Sequence, residues 1–408
     1  FVGNPEGDFL DQAREEFAQL LTGHSGRGWL RGMNWHEQLL GELDRWSLDA
    51  LINVRPVRIQ HRSGMLWVLN SQAVEALELA KFVGLPGLEV NDRGVPTGRL
   101  FRQDDWLRER LGMAAMPDIL GLSEYMLSLG LTSFTDTSAT NGRSMLETFS
   151  ALKSSGDLVQ SYTLMGNDSL PQGHLKILLD EDALPDLDNL ITRIVTARQQ
   201  GRRVAFHCIT HIELLFALAA LDAAREVAGV RSGEALRGVD RIEHGSVIRD
   251  EVLPRLTDHK LAVVTQPGLI AARGDFYRRD LSPGDLNCLY RHKSLLQAGV
   301  TTIVSSDAPY GPMSPWVSMS AAVNRRTPSG HVIGADEVVS PEEAISGYLS
   351  RPLDLQQASH RLAVGACADL CVLQQPWRIV RTDPASAEVF FTVVAGEIVY
   401  RNTTSPPR

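Results

Sequence analysis

Short apolar runs alternate with segments of helical periodicity along the middle of the chain. The apolar runs predict seven strands, centred near residues 133, 162, 177, 206, 243, 264 and 304. Helical patterns separate them, for example at 187–200 and 212–228. Because these runs are nearly continuous in apolar character and alternate with helices, we predict parallel strands buried on both faces. Seven such units are one short of a closed (β/α)8 TIM barrel, and an open doubly wound sheet is the alternative.

The two ends of the chain follow other patterns. Residues 1–115 predict an irregular helical insertion or lid associated with the barrel, which itself occupies 116–350. The elements predicted in the first region are helical patches at 8–22, 36–52 and 71–82 and a strand-like piece at 56–64. Residues 351–408 alternate like antiparallel strands, and "VVAGEIVYRN" has a glycine-centred hairpin signal, so we expect part of a small β-sandwich there.

Composition narrows the choice of partner and compartment. The 408 residues include 40 basic and 49 acidic side chains, for a net charge of −9, which argues against nucleic acid or an anionic membrane as a partner. Four cysteines without a paired spacing do not form a disulfide framework, so we expect a cytoplasmic location. We find no apolar run of membrane-spanning length.

Four polar side chains end predicted strands: Lys176, His207, His244 and Asp307. Active sites of parallel α/β folds lie at the carboxyl ends of strands, and imidazole and carboxylate are good ligands for Zn²⁺. The four residues therefore predict an open metal site in which Asp307 accepts a proton from water. Taken singly, each has a structural alternative: a satisfied histidine, a surface lysine, or a helix-capping aspartate.

Several stretches are similar to one known family. The segments "AFHCIT", "RIEHGSV", "TQPGL", "LLQAGVTTIVSSDAPYGP" and "GACADLCVL" resemble the amidohydrolase superfamily. The early segment "GWLRGMNWHEQLL", with "RPVRIQHRSGMLWVLNSQAVEAL", resembles its family 3 branch, which includes N-substituted formamide deformylases. The resemblance implies a TIM barrel with a small β-sandwich and one or two divalent metals, most often Zn²⁺ with Mn or Fe as alternatives. It also implies hydrolysis of an amide-type C–N bond in a small molecule.

The resemblance also implies a role for each strand-end residue. Lys176 would be carbamylated and bridge two metals, His207 and His244 would be ligands, and Asp307 would be both a ligand and the general base. Other side chains near the strand ends or in the first region are candidates for substrate binding, although aromatic residues there are more often packing residues. These candidates are Gln266, Tyr310, Trp316, Arg325, His61 and Trp67.

One family feature is missing from the chain. The first barrel strand of the family carries a His-x-His pair, and this sequence contains none. We therefore expect a barrel without its first strand. The missing pair reflects either a truncated chain or a protein that has lost its activity. The alternatives to an amidohydrolase are an inactive relative that acts as a binding or interaction protein, a hydrolase of esters or lactones, and a deaminase. A homodimer is a further expectation.

Overall fold

The computed structural model describes residues 16–19, 28–112, 118–228, 238–349 and 362–403. The chain separates into two compact units, Phe1–Pro117 and Asp118–Arg408. The predicted helical patch at 8–22 lies largely outside the described residues, and so does the predicted boundary at 350/351.

The first unit is built on a five-stranded mixed sheet. Its strands are β1 (Leu30–Trp35), β2 (Val57–His61), β3 (Leu66–Leu69), β4 (Leu88–Val90) and β5 (Pro96–Phe101). The order in the sheet is β1-β2-β3-β5-β4, with β1 and β2 parallel and the other pairs antiparallel. Alternate residues such as Ile59 and Val68 form one buried core with Leu48, and Trp67 and Leu100 belong to a second core. The sheet is therefore covered by apolar side chains on both faces, as its alternating pattern requires.

This sheet corrects the expectation of an irregular helical region. Only β2 corresponds to the predicted strand-like piece, and four further strands were missed. β3 and β4 are only four and three residues long, β1 contains a glycine, and β5 begins at a proline. Such segments give a weak period-two signal, and their pairing depends on partners distant in sequence.

The second unit contains the seven predicted parallel strands, and all seven predictions are confirmed. They are β6 (Ser133–Asp136), β7 (Ser161–Leu164), β8 (Leu175–Leu178), β9 (Val204–Cys208), β10 (Arg241–His244), β11 (Ala262–Thr265) and β12 (Thr301–Val304). β8 to β12 pair in sequence order, β6 pairs with β7, and a parallel bridge between Gly166 and Leu175 links the two groups. Among the described residues no pairing joins β12 to β6. The fold is thus an α/β, TIM-barrel-like sheet with seven observed strands.

Helices cover one face of this parallel sheet. Ile177, Phe206 and Ile242 form a large apolar core together with side chains of the helices Leu187–Gln199 and His211–Ala228. Because side chains alternate along a strand, the neighbouring residues Lys176, His207 and Glu243 point to the opposite face. The polar side chains within these apolar strands therefore lie on the face of the sheet opposite the helices.

A small antiparallel sheet ends the second unit. It consists of β13 (Leu370–Leu373), β14 (Val389–Val394) and β15 (Glu397–Arg401), and Ala395 and Gly396 both have positive φ in the predicted hairpin turn. The Thr392 hydroxyl donates to the Leu127 carbonyl (2.7 Å), which fixes the sheet against the helix Ile119–Ser128. The expected β-sandwich portion is a single three-stranded sheet in the described residues.

The other α-helices with defined bounds have between four and 13 residues. They are Glu37–Leu40, Arg45–Leu51, Ser71–Ala76, Asp104–Leu111, Arg143–Ser155, Leu253–Asp258, Gly268–Asp280, Pro283–Asn287, Lys293–Gln297, Pro315–Asn324, Pro341–Ser346 and Trp377–Val380. Within the described part of the chain, no helix has the length and apolar character needed to cross a membrane.

Candidate active site

β10 ends in a sharp turn that begins at His244. His244 has φ 70° and Gly245 has φ 50°, so two consecutive residues adopt the left-handed region. A Cβ at Gly245 would lie 2.9 Å from Ile248 Cδ1, which explains why glycine follows the histidine. A non-glycine residue held in this region costs about 1–3 kcal/mol, and such strain is concentrated at functional sites.

β12 ends in a second strained turn, which carries Asp307. Asp307 has φ 52°, and its carbonyl accepts hydrogen bonds from the backbone N–H groups of Tyr310 (2.7 Å) and Gly311 (3.2 Å). A Cβ at Gly311 would lie 2.2 Å from the Ser306 carbonyl oxygen, so this tight turn requires glycine. Asp307 and His244 are thus placed by the same kind of local backbone constraint.

The structure brings the four predicted residues together, and we call them the strand-end cluster: Lys176, His207, His244 and Asp307. The rings of His207 and His244 meet edge to face with centroids 4.5 Å apart. The charge of Lys176 acts on both histidines and on Asp307. His207 and His244 lie at or near the carboxyl ends of β9 and β10, Asp307 follows β12, and Lys176 is the second residue of β8 in the same sheet.

Burial sets the protonation of this cluster. It lowers the pKa of His207 to about 2, with help from His244 and Lys176, and that of His244 to about 3. Burial also lowers the pKa of Lys176 and raises that of Asp307 to about 6, although Arg273 and Lys176 lower the latter. At neutral pH both imidazoles are therefore neutral with free lone pairs, and Asp307 is mostly ionised.

Comparison with known proteins gives the family of this chain. Residues 10–400 match the amidohydrolase family. The chain belongs to the amidohydrolase family. It is 23% identical over 461 residues to YtcJ of Bacillus subtilis (strain 168), which bears an amidohydrolase's name; 97% of this chain and 83% of that protein are covered. It is 28% identical over 217 residues to the N-substituted formamide deformylase of Arthrobacter pascens, covering 52% of this chain and 39% of that protein.

Solved structures agree on the fold of this chain. Crystal structures of uncharacterized metal-dependent hydrolases from Pyrococcus horikoshii OT3 and Pyrococcus furiosus match with TM-scores of 0.62 and 0.59. Their sequences are 22% and 24% identical to this one, and the matches cover 82% of this chain and 74% and 75% of theirs. The expected superfamily and family 3 branch are confirmed, and the family makes the protein a hydrolase.

The donors present in this chain fit a divalent metal in part. His244 Nδ1 is buried and has no hydrogen-bond partner among the described residues, and the neutral ring of His207 lies beside it. Two adjacent neutral imidazoles with open lone pairs are suitable ligands. In the same part of the chain, no group of three or more His, Cys, Asp or Glu side chains has the arrangement to hold a metal ion. The fit therefore rests on the histidine pair, with Lys176 and Asp307 nearby.

Sequence reasoning missed a buried ion pair beneath the cluster. Arg241 Nε lies 2.8 Å from Glu243 Oε1, and both side chains are 5% exposed. Burial alone would raise the pKa of Glu243, but Arg241 and Lys176 together lower it below its usual range. Glu243 is paired in register with His207 and offsets the positive charge of Lys176 in the sheet interior. The signal in the sequence was the spacing of Arg241 and Glu243, which puts both on the same face as Lys176.

A second cation was also missed. Arg273 lies in the helix Gly268–Asp280, and its guanidinium carbon is 5.9 Å from the ring centre of Tyr310. Its charge is the largest electrostatic influence that lowers the pKa of Asp307. The turn 307–311 thus carries the carboxylate of Asp307 and the ring of Tyr310, and the guanidinium group of Arg273 lies over that ring. No motif marks Arg273, because only the packing of this helix brings it to the turn after β12.

Among the predicted substrate residues, Gln266 and Tyr310 lie beside the cluster. The Gln266 amide donates to the Val264 carbonyl (3.0 Å) and to Ser305 Oγ (2.9 Å), and it also interacts with His244. Its oxygen Oε1 is buried without a hydrogen-bond partner in the described residues. An unsatisfied acceptor beside the histidines is consistent with contact to a ligand.

Trp316 and Arg325 have structural contacts instead. Trp316 Nε1 donates to the Leu129 carbonyl (3.1 Å), and its ring packs in an apolar core with Met319 and Val389. Arg325 is fully buried, and its three nitrogens donate to backbone carbonyls. The expectation that both contact substrate is corrected, because their polar atoms are already satisfied in the interior.

His61 and Trp67 cannot line one pocket together. The ring of His61 meets that of Trp35 edge to face, with centroids 5.3 Å apart, and lies near Glu37, whereas Trp67 donates to Asp104 (2.8 Å). Trp67 is paired in register with Gln60, the residue before His61, so His61 points to the opposite face of the sheet. The two side chains therefore lie on opposite faces of the sheet, and the contact of either one with substrate stays a prediction.

Proposed function

We propose that this protein is a metal-dependent amidohydrolase that cleaves an amide-type C–N bond in a small molecule. The observation that carries the proposal is the proximity of Lys176, His207, His244 and Asp307, which come from neighbouring strands of one parallel sheet and from the turn after its last strand. The similarity to an N-substituted formamide deformylase supports a formamide or related amide as the substrate.

His207 and His244 would hold the metal, since they are adjacent and neutral. A divalent metal, when bound, supplies a Lewis acid that polarises the amide carbonyl and makes a water more acidic. Lys176 would join the site as a carbamate, formed from its neutral amine and carbon dioxide with release of a proton. Burial lowers the pKa of Lys176, which favours the neutral amine that this reaction needs.

Asp307 would move the proton. Its carboxylate takes a proton from the attacking water as the new C–O bond forms, and gives it to the nitrogen as the C–N bond breaks. The products are a carboxylic acid and an amine. A carboxyl whose pKa is raised to about 6 by burial is well matched to this exchange near neutral pH.

The test is substitution of Asp307 by Asn, which keeps the size of the side chain and removes the base. We expect hydrolysis of an N-substituted formamide by metal-loaded Asp307→Asn to fall by about 10²- to 10⁴-fold. Asp188→Asn is the matched control, because Asp188 is exposed on the helix Leu187–Gln199. Wild-type turnover by Asp307→Asn would contradict the proposal, as would failure of metal-loaded wild type to hydrolyse any amide in a broad panel.

A further inference from the structure

Two arginines share one tryptophan on the sheet of the first unit. The guanidinium carbon of Arg31 lies 5.4 Å, and that of Arg58 lies 5.0 Å, from the ring centre of Trp67. Arg31 and Arg58 are paired in register on the neighbouring parallel strands β1 and β2, so they project from the same face. The sequence gives this arrangement no motif, since the residues come from three separate strands.

The positive charges of this pair are not balanced by ion pairs. Among the described residues, neither Arg31 nor Arg58 forms an ion pair, and Arg58 Nε is buried without a hydrogen-bond partner. Burial lowers the pKa of Arg58 and the charge of Arg31 lowers it further, while Asp104 has the opposite effect. Placing two like charges side by side is unfavourable unless a counter-charge joins them.

The acidic side chain that acts on Arg58 is already engaged in hydrogen bonds. Asp104 Oδ1 accepts a hydrogen bond from Trp67 Nε1 (2.8 Å) and a longer one from Gln60 Nε2 (3.4 Å). It fixes the orientation of the indole ring, which is 3% exposed, and so provides a rigid support for both guanidinium groups. Stacking on a ring leaves the guanidinium N–H groups available to an acceptor outside the protein.

We propose that Arg31 and Arg58 form a binding site for an oxyanion, either the carboxylate or the phosphate group of a small molecule. Planar guanidinium groups match the two oxygens of such a group, and two of them on adjacent strands can contact it from both sides. Arg31 is exposed, so the site is open to solvent. This site is independent of the proposed hydrolase activity.

Isothermal titration in a low-salt buffer tests the site, with inorganic phosphate and benzoate as probes and chloride at matched ionic strength as the reference. We expect one or both probes to bind wild type, and Arg31→Gln or Arg58→Gln to weaken binding by about tenfold or more, because each removes a charge-assisted contact. Stronger binding of phosphate assigns the site to a phosphate group, and stronger binding of benzoate assigns it to a carboxylate.

Arg93→Gln is the matched control, since Arg93 is an exposed arginine of the same unit in the turn between β4 and β5. Arg31→Gln changes only an exposed side chain, so it keeps the test valid if Arg58→Gln fails to fold, which circular dichroism would show. Two results would overturn the proposal: no binding of either probe to wild type beyond the chloride reference, or equal binding to wild type, Arg31→Gln and Arg93→Gln.

Discussion

The strand-end cluster and the buried Arg325 lie in the same unit and differ in how their polar atoms are satisfied. Arg325 donates to the carbonyls of Ile333 (2.6 Å), Tyr290 (3.0 Å) and Leu289 (2.7 Å). In contrast, His244 Nδ1 is buried without a partner among the described residues. Saturated hydrogen bonding of a buried side chain indicates a structural role, whereas an unsatisfied buried nitrogen beside further metal-binding side chains is consistent with a place for a ligand.

The backbone shows a related difference. Arg325 also has a positive φ (49°), but its carbonyl and N–H are both used, by Ile333 and Ala321 respectively. Its strained position ends the helix Pro315–Asn324 and is supported by five hydrogen bonds in all. A positive φ alone therefore does not distinguish a catalytic turn from a structural one. The two turns differ instead in whether the polar atoms of the side chain have hydrogen-bond partners.

The largest effect on stability is expected from Arg325→Met. The change leaves three buried carbonyls without their donor, and we expect the free energy of unfolding to fall by about 3–5 kcal/mol. Urea-induced unfolding followed by circular dichroism measures it. Arg326→Met is the control, because Arg326 is the exposed neighbour. A loss below about 1 kcal/mol for Arg325→Met would contradict the structural role that the comparison assigns to Arg325.

An intermediate effect is expected from His292, which lies near Arg325. Both of its ring nitrogens are buried without partners in the described residues, and burial, with a further effect of Arg325, lowers its pKa to about 4. The unfolded chain, with a pKa near 6.5, binds more protons between these values, so stability decreases as the pH falls from about 6.5 towards 4. Between pH 6.5 and 5 we expect a loss of about 2 kcal/mol from this residue.

His292→Leu isolates that contribution. Wild type and variant are unfolded in urea at pH 6.5 and at pH 5, and the two changes in free energy are subtracted. We expect the variant to lose about 2 kcal/mol less than wild type on acidification. Equal losses would show that the buried His292 is not a proton-linked group, and the contrast with the strand-end histidines would then need another explanation.

The smallest effect on stability is expected at the strand-end cluster itself. His207 makes no hydrogen bond in the described residues, so His207→Leu should change the free energy of unfolding by less than about 1 kcal/mol. Metal content, measured by mass spectrometry on protein purified without chelator, should fall severalfold or more. His331→Leu is the exposed control. Unchanged metal content with reduced stability would assign His207 a structural role and would contradict the contrast between the strand-end cluster and Arg325.

The pattern of apolar runs predicted the positions of the seven parallel strands because each run is apolar and continuous in sequence. The expected burial on both faces holds for most residues of β8 to β11, whereas β6, β7 and β12 are only partly buried. The four residues of the strand-end cluster followed from the position of polar groups directly after those runs. The first unit was predicted poorly, because β1, β3, β4 and β5 are short or interrupted by glycine and proline. The roles of Trp316 and Arg325 were also misjudged, since a polar side chain at a suitable position in sequence can still find all its partners in the core.

By itself the sequence determined where the seven strands lie along the chain, which polar residues lie near their ends and which family the chain resembles, since these depend on local periodicity and short motifs. Only the tertiary structure decided which polar atoms are satisfied. Glu243 offsets the charge of Lys176, Arg273 reaches the turn of Asp307, and Arg31 meets Arg58 over Trp67 through contacts between segments far apart in the chain. Hydrogen bonds and charge interactions act over a few ångströms in space, and spacing along the chain does not specify that distance.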